Sequence, residues 1–107
     1  MVRRVGVEPV TMWEVQPRFE ADVHPDDVQR LSAVLSATAE VETATVMLQS
    51  GAAASVTPSL VLHAASPAAA VDRAITLVRS TAAACGIRLG DLHEVLARPA
   101  LVDPRDT

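Results

Sequence analysis

Three histidines, one cysteine and a row of carboxylates are the side chains of this 107-residue chain best suited to chemistry. Glu14, Glu20 and Asp22 alternate along one side of residues 13–23, with Arg18 among them. Paired carboxylates can work as general acid and base, one giving a proton while the other takes one. The plainer expectation is a solvated row containing an internal Arg–Glu pair. His24, His63 and His93 could act as bases or metal ligands, but their spacing matches no usual zinc signature. His24 stands before Pro25-Asp26-Asp27 and reads as a helix-entry residue. Cys85 lies near the C-terminal end of an apolar helical stripe. There the negative end of the helix dipole works against a thiolate, so a buried structural cysteine is expected.

The elements that must position these residues follow from periodicity. Residues 13–23 alternate strictly, with Trp13, Val15, Phe19, Ala21 and Val23 on one side and Glu14, Gln16, Arg18, Glu20 and Asp22 on the other. A period of two marks a strand with one buried face. Pro25 at a first helical position and two acids in the first turn open a helix over 25–38. Val28, Leu31, Val34, Leu35 and Thr38 form its apolar stripe. Residues 41–49 alternate again, with Ala44, Val46 and Leu48 opposed to Thr43, Thr45 and Met47. A loop containing Gly51 leads to a strand over 55–64. In it Val56, Leu60, Leu62 and Ala64 face one way, and Thr57, Ser59, Val61 and His63 the other. Pro58 lacks an N–H, which predicts an edge position for that part of the strand. Ser66-Pro67 starts a helix over 67–85, ended by Gly86. The last apolar stretch predicts a strand over 91–98, with a short helix as the alternative.

The order β-α-β-β-α-β predicts an α+β fold of ferredoxin-like type, a four-stranded antiparallel sheet with two helices on one face. Residues 12–99 form its single domain, with 1–11 as a flexible arm and 100–107 as a mobile tail. Met12 is an alternative natural start. In this order strands 3 and 4 are not neighbours, which argues against a His63–His93 metal pair.

The polar halves of the strands then share an open sheet face. Glu14, Arg18, Glu20, Thr43, Thr45, Met47, Thr57, Ser59, Val61 and His63 are the candidate ligand or interface residues on it. They make a hydroxyl-rich floor with Met47, Val61 and Val95 as apolar points. Several uses of such a fold are excluded by the residues present. RNA binding on the sheet needs outward aromatics, and Trp13 and Phe19, the only two here, point inward. Iron–sulfur binding needs four cysteines. Metal chaperones of this fold need Cys-x-x-Cys in the first loop. Acylphosphatases need a glycine-rich loop with Arg, where this chain has His24-Pro25-Asp26-Asp27. Amino-acid-binding modules usually carry Pro-Gly there, and here Pro25 is followed by Asp26.

Composition sets the remaining bounds. Half of the residues are apolar and only 2% aromatic, so the core is built of Ala, Val and Leu. Each such side chain buries little area at roughly 25 cal/mol per Å², and a second chain would bury more. The net charge of −4 opposes a nucleic-acid groove. All nine basic residues are Arg, and Lys, Asn and Tyr are absent, which points to a GC-rich genome such as an actinobacterial one. One cysteine excludes an internal disulfide and fits a reducing cytoplasm. No run spans a bilayer, and no apolar segment follows Arg3-Arg4 to make a signal peptide. The expectation is a non-enzymatic, cytoplasmic, homodimeric module that binds a small molecule or protein through its open sheet face, without cofactor, metal, nucleic acid or membrane. The alternatives are a small dimeric enzyme of the cofactor-free monooxygenase or isomerase kind, with His63, His93 or Glu20 as base, and a structural assembly subunit.

Overall fold

Thr11 to Glu20 form the first strand, β1, of a computed structural model that describes residues 11–49 and 54–100. Helix α1 (Pro25–Ala37), β2 (Val41–Gln49), β3 (Ser55–Ala64), α2 (Pro67–Ala84) and β4 (Leu92–Pro99) follow. The four strands make one antiparallel sheet in the order β2-β3-β1-β4. β3 and β4 are separated by β1, so His63 and His93 lie on strands that do not touch.

Each element has a local cause. His24 caps α1, its Nδ1 accepting the Asp26 N–H at 3.1 Å while its own N–H donates to the Asp27 carboxylate at 3.3 Å. Ser66 caps α2 by accepting the Ala69 N–H at 3.1 Å. That helix ends at Ala84, with Cys85 as its cap and Gly86 at φ 76°. The Ile87 N–H then reaches back to the Ala82 carbonyl at 2.8 Å, the long bond of a Schellman turn.

The core lies between the sheet and the two helices. Phe19, Val15, Leu60, Leu62 and Val56 from the strands meet Leu31 and Leu35 of α1 and Ala70, Ala74, Val78 and Ala82 of α2. Three of the four buried α2 residues are alanines, which lets that helix approach the sheet closely. Phe19 fills the space so defined and is fully buried. The Arg79 guanidinium stands 4.9 Å from its ring centroid, a cation–π contact. Trp13 is half-buried on the same side, its Nε1 donating to the Ala64 carbonyl at 3.0 Å.

Several expectations are corrected. β1 begins at Thr11, inside the expected arm, and stops at Glu20 rather than Val23. At that point the Glu20 N–H and carbonyl bond Asp91 and Gly90 at 2.8 and 2.6 Å, and the chain leaves the sheet towards α1. Residues 1–10, 50–53 and 101–107 lie outside the described residues, and with them most of the predicted arm and tail and the Gly51 loop. The segment from Leu92 does form the expected strand, over Leu92–Pro99, and only the short-helix alternative falls away. Val34 is 44% exposed, on the edge of the α1 stripe rather than in the core. Cys85 is half-buried rather than buried.

Pro58 gives the clearest correction. β3 is an internal strand, paired with β2 through Val46↔Pro58. A proline survives there because of what stands opposite. β1 and β3 pair Val15 with Leu60 and Phe19 with Val56, and the register between them sets Pro17 against Pro58. The Met12 carbonyl bonds β4, so even residues of β1 turn their backbone to β4 and odd ones to β3. Pro17 and Pro58 therefore face each other across one rung, and neither β2 nor β4 is deprived of a donor.

Candidate functional site

The open side of the sheet is a grid fixed by strand register. Thr43, Val61, Glu14 and Arg98 form one row across β2, β3, β1 and β4. Thr45, Ser59, Gln16 and Leu96 form the next, and Met47, Thr57, Arg18 and Glu94 the third. Ser55 and Glu20 pair below these rows, and His63 and Met12 pair above. All ten candidate residues thus fall on one face.

Glu14 is the centre of the polar contacts. Arg98 Nε donates to its Oε1 at 2.8 Å. Gln16 Nε2 and the Ser59 hydroxyl donate to its Oε2 at 3.1 and 3.2 Å. The Arg98 bond is the main cause that holds the Glu14 carboxyl below the ordinary glutamate range; partial burial opposes it, and Gln16 and Ser59 reinforce it. A carboxylate so held accepts hydrogen bonds and is poorly suited to take a proton. Beside it lies an open depression of about 490 Å³ lined by Glu14, Val61, Arg98, Pro99 and Ala100.

The other candidates are not drawn into this cluster. Arg18 meets Glu94 loosely at 3.8 Å. His63 is exposed, its Nε2 3.3 Å from Glu42 Oε2. Glu20 is exposed at the far end of the face. His24 and His93 are exposed too, and no histidine lines any of the depressions described. Among the described residues no group of three or more His, Cys, Asp and Glu could hold a metal ion. No described helix is long and apolar enough to cross a membrane.

Leu96 and Arg98 belong to the face with no sign of it in the alternation of their own segment, and Gln16, expected on the polar side of β1, joins the candidates through its bond to Glu14. Val95, expected there, turns instead to the core, opposite Pro17. The signal was present in charge: Glu14, Gln16 and Arg18 on β1 meet Arg98, Leu96 and Glu94 on β4, a matched antiparallel set. Met47 and Leu96 are 65% and 61% exposed, the two most exposed large apolar side chains described.

Comparison of the chain with protein-family models, curated proteins and solved structures gives no match.

Proposed function

We propose that this chain is a small non-enzymatic binding module that works as a homodimer and receives its ligand or protein partner on the open sheet face. The β-α-β-β-α-β order with strand order β2-β3-β1-β4 supports reading it as a ferredoxin-like plait. One observation carries the proposal: a hydroxyl-rich, charge-paired face bears two largely exposed apolar side chains, Met47 and Leu96. They stand on the two opposite edges of that face, Met47 on β2 and Leu96 on β4, and each offers apolar surface to another molecule. On that face Glu14 is matched by Arg98 and Arg18 by Glu94, so the approach of a second copy is not opposed there by the net charge of −4. The single cysteine fits a reducing cytoplasm.

Light scattering over a concentration series tests the homodimer; a mass fixed at that of one chain rejects it. Amide NMR shift mapping during a small-molecule fragment screen tests the face. Shifts gathered at Thr43, Thr45, Thr57 and Ser59 are expected, and shifts confined to α1 and α2 count against it.

A further inference from the structure

We infer that the homodimer forms by antiparallel pairing of β4 with β4 of a second copy, centred on Leu96. This rests on the homodimer proposed above and adds its partner surface and register. Among the described residues β4 is an edge strand. The Ala100 N–H bonds the Met12 carbonyl in β1, so alternation turns the backbone groups of Arg98, Leu96 and Glu94 to β1 and those of Ala97 and Val95 outward. Outward N–H and C=O groups on an edge are a template for another strand.

The side chains select the register. Setting Leu96 against Leu96 of a second copy places Glu94 against Arg98 of that copy, and Arg98 against its Glu94, by two-fold symmetry. Val95 and Ala97 then exchange backbone bonds with Ala97 and Val95 opposite. Across the junction the open face reads Glu14, Arg98, then Glu94 and Arg18 of the second copy, alternating in sign on both sides of the axis. Centring on Val95 would instead set Glu94 against Leu96 and leave both charges unmatched. Edges are guarded by proline or by unmatched charge; Pro99 closes the end of β4, but between Glu94 and Arg98 the two charges are opposite and placed symmetrically about an exposed Leu96. The other edge, β2, has Glu42 as its single charged residue and no complement for it. Pairing through β4 joins two open faces into one floor and leaves the depression beside Glu14 next to the junction.

The central pair in this register is a non-hydrogen-bonded pair, with Cα atoms about 4.5 Å apart. That separation falls within the range a disulfide spans. The test is oxidation of Leu96→Cys in a Cys85→Ala background, with Met47→Cys as the control of similar exposure. Leu96→Cys is expected to give about ten-fold more covalent dimer than Met47→Cys, because pairing raises the local thiol concentration. Equal yields at both positions would mean random collision and overturn the inference. A dimer by light scattering that does not cross-link at Leu96 overturns this pairing but leaves the homodimer standing. A chain that scatters as a monomer and does not cross-link overturns both.

Discussion

Pro17 and Pro58 oppose each other across β1 and β3, at a rung where a hydrogen bond would need an N–H that neither residue has. Both are fully buried. Placed singly, either proline would leave the opposite carbonyl without its donor, while the opposite N–H could still reach the proline carbonyl. Placed together, they confine the loss to one rung. Pro17→Val is therefore expected to change stability by less than about 1 kcal/mol, since the new N–H can meet the Pro58 carbonyl while some chain stiffness is lost. Val15→Pro should cost about 2–3 kcal/mol, because the Leu60 carbonyl then loses its donor in the core. Urea denaturation of both variants decides this. Equal losses would show that the facing prolines are no matched rung.

The Glu14–Arg98 bond gives a pH dependence with a defined sign. The Glu14 carboxyl is held low in the folded chain, chiefly by Arg98, so the folded state favours the charged form. Its contribution is present above the unfolded value of about 4.3 and is lost as pH falls through the lower folded value. Glu14→Gln should reduce stability by about 1 kcal/mol near neutrality, because Arg98 is largely exposed. The same variant should lose less stability than the parent between neutrality and acid. Thermal melts from pH 7 down to about 3 measure both slopes. Parallel curves for the two chains would remove Glu14 as the responsible group.

Gly90 is held against Glu20 for a steric reason. A Cβ there would stand 2.9 Å from the Glu20 carbonyl oxygen, which already accepts the Gly90 N–H at 2.6 Å. Backbone cannot yield as a flexible side chain does, so Gly90→Ala should cost about 1–3 kcal/mol by forcing β1 and the start of β4 apart. Gly86→Ala meets open space but retains φ 76°, and should cost about 1 kcal/mol. Gly86→Asn should recover part of that, since Asn tolerates the left-handed region. Calorimetry on the three variants gives the order. A Gly90→Ala chain as stable as the parent would contradict the close approach.

Much of this was legible because period and caps are local. Residues 41–49 and 55–64 alternate over most of their length, and β2 and β3 have those bounds, with one irregularity between Val41 and Thr43. Ser66-Pro67 and Gly86 bracket α2 to within a residue or two. What failed was decided between strands. Pro58 reads as an edge marker in isolation, and only its pairing with Pro17 admits it to the interior. Val95 and Leu96 are both apolar neighbours, so a strand of poor alternation does not say which faces the core. The register against Pro17 and Gln16 does. Arg98 became part of the face for the same reason, since nothing near it in the chain points to Glu14, 84 positions away. Val34 fits the helical stripe but is left 44% exposed at its edge.

The two helix caps provide a last pair of expectations, independent of the sheet. His24 satisfies the Asp26 N–H with its ring nitrogen, and Ser66 satisfies the Ala69 N–H with its hydroxyl. Each removes one orphan donor from a first turn. His24→Ala and Ser66→Ala should each cost about 1 kcal/mol. His24→Ser should lie within about 0.5 kcal/mol of the parent, because a hydroxyl does the same task with a side chain common at that position. The two alanine variants cap different helices and share no partner, so the double variant should show the sum of their losses. Urea titrations of the three alanine chains measure this. A double variant that loses much less than the sum would mean that the caps are coupled through the α1–α2 contact.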